Sequence, residues 1–349
     1  MRMRFAQGLA LVVVTLVIAG AAAAQAPAPT KLTPELIEAA RKEGKVVWYT
    51  SVELELAERV AKAFEAKYPG IPVQVERSGA ERNFQRLAQE YASNIHSADF
   101  VNSSDAAHFI VWKRQGWLAP FVPEEVAKYY PPEQKDPDGT YATWRMTLSI
   151  MGYNTKLVKP DQAPKSFADL LDPKWAGKMV KAHPGYSGTI LTSTFEMARD
   201  LGWDYFKKLS KQRVMQVQSA TDPPRKLAAG ERSVMIDGSE YVLLAAKEKG
   251  SPVEPIYPTE GAPQIVGPSA VLKDAPHPNA ARLFAIYSFS TECQQLIVDV
   301  GALRSADSQV KERPGRPALK DIKVMKDDPK TVESQVDEIK KKYLEYFGT

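Results

Sequence analysis

A single cysteine, Cys293, stands in 349 residues, so no internal disulfide can form and the fold must rest on packing. Its neighbourhood, "TECQQLIVDV", reads as an apolar helical segment, which predicts a buried core thiol. The chain has little net charge, with 46 basic and 42 acidic residues giving +4. Leaving out Arg2 and Arg4 lowers this to +2, a balance that argues against a nucleic-acid or polybasic membrane role. Histidine is scarce: His96, His108, His183 and His277 are scattered and match no metal-ligand spacing. No G-x-S-x-G elbow, H-E-x-x-H, Walker loop or dinucleotide glycine fingerprint occurs, and "GYSGT" lacks the elbow's spacing. An uncharged apolar run opens the chain, Leu9 to Ala19, preceded by Arg2 and Arg4 and followed by Ala22-x-Ala24 before Gln25. That pattern predicts a secretory signal peptide cleaved after Ala24, and the run is short for a bilayer span. No cysteine follows it directly, which excludes lipid attachment at a mature N-terminal cysteine; a freely soluble, periplasmic protein is expected.

What is present is alternation. Thr33 as N-cap, Pro34 and Gly44 predict a helix over Pro34 to Glu43, and "KVVWYTS" then reads as a buried strand. Leu56, Val60, Ala63 and Phe64 fall on one helical face, Pro69 and Gly70 end that helix, and "IPVQVER" alternates as the next strand. Strand, amphipathic helix and strand in succession make a βαβ unit and imply a parallel sheet. A helix near Arg82 to Ser93, a strand at "ADFVNSS" and a helix near Ala106 to Gln115 continue the rhythm. The Pro-rich stretch from Pro120 to Asp138 reads as a surface crossing ahead of a change of domain, with "TWRMTLSIMGYN" suited to pass between two lobes. A second α/β series follows from Lys178, including a helix near Gly188 to Leu201, and "PVEPIYPTEGAPQIVGPSAVLK" is a second extended connection. Two amphipathic helical stretches close the chain, "NAARLFAIYSFSTECQQLIVDV" and "PKTVESQVDEIKKKYLEYF".

In this order the segments resemble the extracellular solute-binding proteins of ABC importers, the group that includes periplasmic ferric-iron carriers. The resemblance rests on "VVWYTS" with "FEAKYPGIPVQV", "ADFVNSSDAAHFIVWKRQGWLAPF", "GYNTKLV", "SFADLLDPKWAGKMVKAHPGYSGT", "LAAGERSVMIDGSEYVLLA" and "GPSAVLKDAPHPNAARLFAIYSFSTECQQLI". It implies an α/β, two-lobed type II periplasmic binding protein, a Venus-flytrap with two hinge crossings near Thr147 to Met151 and Tyr257 to Gly267. The expected lobes are residues 25–147 with 268–349, and residues 148–267. It further implies a monomer that carries a small ligand to a membrane permease with its ATPase, and that needs neither cofactor nor catalytic residue.

In a parallel α/β sheet the ligand lies beyond the carboxyl ends of the strands. Five strand-to-helix junctions are rich in hydroxyls or glycine and supply the candidate ligand-binding residues. They are Tyr49 and Ser51; Ser78 and Gly79; Ser103 and Ser104; Tyr186, Ser187, Gly188 and Thr189; and Ser239, Glu240 and Tyr241. A helix N-terminus offers unpaired N–H groups and a partial positive charge, so a junction such as "GYSGT" suits an anion. Ordinary N-capping is the competing role for the same residue types. Arg145, in the first crossing, adds a fork that matches a carboxylate or phosphonate, or else an interlobe ion pair. Arg77, Arg82 and Arg225 are weaker candidates, expected on solvated faces. Iron carriers of the resembled group place adjacent tyrosines after the strand matching "SVMID", where this chain reads Gly238-Ser239-Glu240-Tyr241. An iron site would have to draw on Tyr49, Tyr186, Glu240 and Tyr241, and Tyr129-Tyr130 fits a packing role better. An organic or phosphorus-containing anion therefore ranks above ferric iron, and both above an enzyme on the same fold or a scaffold that has lost its ligand.

Overall fold

The computed structural model describes residues 26–348, so the predicted signal peptide lies outside the described residues. Local signals set the first elements. In α1 (Pro34–Glu43) the Leu36 N–H donates to Thr33 Oγ1 at 3.2 Å, and the helix stops where Gly44 takes φ 85°, a conformation costly for any residue with a Cβ. There follow β1 (Val46–Thr50), α2 (Leu54–Lys67), β2 (Val73–Arg77), α3 (Ala80–Ala92), β3 (Phe100–Asn102), α4 (Ala106–Arg114), α5 (Glu124–Tyr129) and β4 (Ala142–Leu148). β1 is buried along its whole length because it lies between β2 and β3, parallel to both, with Trp48 opposite Val75 and Phe100. Apolar side chains on both faces of such a strand are what its continuous hydrophobic run required.

The second series comprises β5 (Met151–Asn154), β6 (Met179–Ala182), α6 (Gly188–Leu201), α7 (Trp203–Leu209), β7 (Met215–Val217), α8 (Asp222–Ala228), β8 (Val234–Met235), α9 (Glu240–Glu248) and β9 (Val253–Ile256). The chain then returns through β10 (Ala262–Val271), α10 (Pro278–Ser288), α11 (Thr291–Asp299), β11 (Val324–Met325) and α12 (Pro329–Phe347). One sheet has the order β11-β10-β3-β1-β2 with β4 also on β10, and the other the order β7-β6-β8-β5-β9. The chain passes from the first sheet to the second between β4 and β5 and returns between β9 and β10. This is the α/β, two-lobed, twice-crossed architecture expected.

Each sheet has its own core. Trp48 packs edge-on against Trp144 at 5.7 Å and at a tilt against Phe284 at 5.3 Å in the first lobe, while Phe167, Trp175, Met179 and Phe206 cluster in the second. Cys293 is fully buried in the first core, and burial pushes its thiol well above the ordinary range. Tyr130 is buried too and donates to the Phe289 carbonyl at 3.3 Å, a packing role as expected.

Two features differ from the sequence reading. The Pro-rich stretch does not lead straight into the other lobe: it carries α5, folds back so that Phe121 N–H donates to Gly139 O at 2.8 Å, and stays on the first sheet through β4. α12, in the stretch assigned to the first lobe, packs against α4 on one side and α6 and α7 on the other. No helix among the described residues is long and apolar enough to cross a membrane.

Candidate functional site

Because β1, β2 and β3 run parallel, their carboxyl ends share one edge of the first sheet; β6, β7 and β8 do the same in the second. The two edges face each other across a small cavity. The first lobe lines it with Ser51, Arg77, Gly79, Ala80, Ser104 and Arg145, and the second with Tyr186, Ser187, Thr189, Ser219, Ala220 and Thr221. Ser239 and Tyr241, at the start of α9, complete the wall. The enclosed space is about 20 Å³, enough for a water molecule and little more.

The cavity is small because the lobes are closed on each other. Arg82 donates to Gln218 at 2.7 Å, Arg225 to Glu53 at 2.9 Å and Lys249 to Glu55 at 2.8 Å, all across the gap. Glycine permits the approach at two points. A Cβ on Gly79 would lie 2.9 Å from the Tyr186 carbonyl oxygen, and one on Gly188 would lie 2.7 Å from Asp105 Cβ and 3.1 Å from Ala80 Cβ. The first turn of α6 thus abuts the first turns of α3 and α4. The leading N–H groups of such turns have no acceptor within their own helix, and the partial positive ends of α3, α6 and α9 all meet the cavity wall.

Two guanidinium groups dominate the electrostatics. Arg145, on β4, is 3% exposed and donates through Nη2 to Ser51 Oγ at 3.1 Å. Arg77, at the end of β2, donates to the Val52 carbonyl and to Ser219 Oγ, each at 3.3 Å. Among the described residues no carboxylate pairs with either. Burial pushes the Arg145 pKa down, Tyr241 beside it acts the other way, and Arg77 adds like-charge repulsion. A buried cation without a counter-charge costs several kcal/mol, roughly, even after relaxation, so its retention calls for an anionic partner.

Most of the predicted site residues meet here. Ser51, Gly79, Ser104, Arg145, Tyr186, Ser187, Thr189, Ser239 and Tyr241 line the cavity, and Gly188 forms the seam beside it. Four do not. Tyr49 points to the opposite face of its strand, where its hydroxyl donates to Glu90 at 2.8 Å and Arg86 covers its ring at 4.2 Å. Ser78 continues the strand ladder, its N–H donating to Thr50 O at 3.0 Å, and lies outside the cavity lining. The Ser103 hydroxyl is bonded to His108 Nδ1 at 2.9 Å. Glu240 faces away into a buried pair: Arg304 donates to its two oxygens at 3.1 and 2.7 Å and Tyr257 to Oε1 at 2.8 Å.

Arg77 corrects the reading in the other direction, since it belongs to the cavity and not to a solvated face. Arg82 and Arg225 are exposed as expected, although both reach the other lobe. Ser219, Ala220 and Thr221 were missed. The signal was there: "QSATD" is one more hydroxyl-bearing strand-to-helix turn, between β7 and α8.

With Tyr49 and Glu240 elsewhere, the cavity has two tyrosines and no carboxylate among the described residues that line it. Tyr241 Oη accepts the Glu53 N–H at 3.1 Å and neighbours the Arg145 fork. Ferric iron favours several hard anionic oxygens, and a wall with two guanidinium groups and neutral hydroxyls is the opposite environment.

A family profile described as bacterial extracellular solute-binding protein matches residues 77–326. An uncharacterized protein of Haemophilus influenzae is 27% identical over 277 residues, covering 74% of this chain and 76% of that one. A probable ABC transporter periplasmic-binding protein, y4fP of Sinorhizobium fredii, is 25% identical over 235 residues, covering 64% and 63%. In fold, the chain is similar to the periplasmic binding protein AfuA of Actinobacillus pleuropneumoniae, solved with exogenous fructose-6-phosphate, at a TM-score of 0.80 and 24% identity over 87% of this chain and 99% of that one. Iron-bound HitA of Pseudomonas aeruginosa gives 0.73 and 22% over 86% and 99%. The profile spans most of the described residues and the two hinged sheets match structurally, so this chain belongs to the bacterial extracellular solute-binding proteins, with the type II periplasmic binding fold.

Proposed function

We propose that this protein captures a small anion between its lobes in the periplasm, best matched by an organic molecule bearing a phosphate group, and delivers it intact to an ABC permease with its ATPase. The observation that carries this reading is Arg145: a buried guanidinium with no carboxylate partner among the described residues, beside Arg77 and a wall of hydroxyls and helix N-termini. Planar forks and N-terminal N–H groups are suited to phosphate oxygens. The fructose-6-phosphate in AfuA shows that this fold can hold such a ligand. The steps are capture, hinge closure and release, and none calls for a catalytic group. Export by the amino-terminal signal peptide and action as a monomer complete the proposal.

Thermal unfolding against a panel of inorganic phosphate, sugar phosphates, phosphonates and carboxylates tests it. A true ligand at a hundred times its Kd stabilises the fold by about 2.7 kcal/mol; a panel with no shift removes the reading. Changing Ser187 and Thr189 together to alanine is expected to weaken binding about tenfold, the scale of one lost charge-assisted hydrogen bond, with unfolding still cooperative. Titration calorimetry checks this, and an unchanged affinity moves the site away from α6.

Ferric iron is the alternative reading, supported by the likeness to HitA. Tyrosinate bound to ferric iron absorbs visible light. Aerobically purified protein is expected to be colourless, and a coloured, iron-containing preparation in a visible absorption scan with metal analysis reverses the ranking.

A further inference from the structure

α12 is anchored in both lobes at once. On the second lobe, Tyr343 is fully buried, donates to Gln216 Oε1 at 2.6 Å and lies 5.3 Å from the Lys181 ammonium. Val332 and Ile339 pack into one apolar cluster with Ala107 of α4 and with Leu191 and Phe195 of α6, which belong to different lobes. On the first lobe, Lys340 Nζ donates to Glu81 Oε2 at 2.6 Å, with the Glu81 side chain only 5% exposed.

Glu81 is not an isolated carboxylate. Its other oxygen meets His108 Nε2 at 2.9 Å, Asp105 Oδ2 lies 3.5 Å from that same Nε2, and His108 Nδ1 meets Ser103 Oγ at 2.9 Å. This network joins the first turn of α3 to the first turn of α4, directly behind Ala80 and Ser104 on the cavity wall. Glu81, Asp105 and His108 have ligand atoms within 4.8 Å of one another, the spacing of a metal site, but the Lys340 ammonium already supplies the cation. Against the upward push of burial, His108 and Lys340 bring the Glu81 carboxyl down to about 2, so it is charged at neutral pH.

We propose that Lys340 is a positioning residue for ligand capture, a latch that pairs with Glu81 across the lobes, holds the α3 and α4 N-termini at the closed spacing, and cancels a negative charge behind an anion site. Without it, α12 keeps its Tyr343 anchor and the exposed Arg114–Glu333 pair to α4 but loses its buried charged hold on the first lobe. The buried carboxylate, one residue from the cavity wall, then keeps His108 as a partner but loses the Lys340 charge, so more of its negative field reaches an anion there.

The test compares the full chain with Lys340→Met, Lys340→Arg and Glu81→Gln variants by small-angle scattering without added solute, and by titration with fructose 6-phosphate. Lys340→Met and Glu81→Gln are expected to give a larger radius of gyration, because the closed form is less populated. Lys340→Met is expected to bind about tenfold or more weakly, and Lys340→Arg to restore both values. Scattering curves of Lys340→Met and Glu81→Gln that superimpose on that of the unmodified chain overturn the latch. If Lys340→Met does not fold, Glu81→Gln decides alone. The titration rests on the phosphate reading and the scattering does not: if no chain binds fructose 6-phosphate, that ligand fails while the radii still support or overturn the latch.

Discussion

Arg145→Met is expected to weaken anion binding by between about thirtyfold and a few thousandfold, while leaving the ligand-free protein as stable as before or more so. The first effect follows from truncating one partner of a buried, hydrogen-bonded charge pair, which costs roughly 2–5 kcal/mol. The second follows from what Arg145 lacks without ligand. It is 3% exposed, donates to a neutral serine hydroxyl and has Arg77, a like charge, as a neighbour. Replacing buried ionic groups by hydrophobes of similar volume is often neutral or stabilising, by about 1–4 kcal/mol. Methionine retains much of the stem's bulk and removes the desolvation penalty. Calorimetric melting without ligand and titration with fructose 6-phosphate measure the two effects separately. A lower melting temperature with unchanged affinity would make Arg145 a scaffold residue and remove the observation on which the anion reading stands. Arg145→Lys keeps the charge and loses the fork, so an intermediate affinity is expected.

Gly188→Ala is expected to hold the lobes apart and weaken binding by about a hundredfold or more, the scale of losing two charge-assisted hydrogen bonds that only the closed form makes. The added Cβ would lie 2.7 Å from Asp105 Cβ and 3.1 Å from Ala80 Cβ. Both are backbone-adjacent atoms at helix starts, so neither can swing aside as the end of a long side chain would. Within α6 alanine is harmless, being the better helix former. The fold is therefore expected to survive with closure selectively impaired. Scattering with and without fructose 6-phosphate reads this directly: compaction on ligand addition in the unmodified chain, and none in the variant. A variant that compacts normally and binds normally would show that the seam gives way more easily than its geometry implies. The contrast with Ser187→Ala and Thr189→Ala is informative, because those changes remove donors from an unobstructed cleft.

The sequence was most legible where structure is decided within a few residues. Thr33 and Gly44 mark the ends of α1, and the Ser187-Gly188 turn starts α6, because caps and left-handed turns are satisfied locally. Most of the strand-to-helix junction candidates line one cavity for a related reason: parallel strands bring their carboxyl ends to one edge whatever the distant contacts. Tyr49 lies off the cavity lining because a strand's alternation fixes that neighbouring side chains oppose each other and leaves open which of them faces the cleft. Glu240 turns away from the cavity because its partner, Arg304, arrives from a segment 64 residues on. Arg77 was undervalued since nothing adjacent to it in sequence indicates that the other lobe will cover it.

Taken alone, the amino-acid order determined the α/β alternation, several of the helix boundaries and the hydroxyl- and glycine-rich character of the turns, since backbone propensity and apolar period act over one or two turns of chain. Only the tertiary structure decided which charges remain without a counter-ion and which are cancelled. Lys340 pairs with Glu81 from 259 residues away, whereas Arg145 meets no carboxylate among the described residues. Electrostatic pairing depends on distance in space and on burial, and both are set when the two lobes and α12 come together.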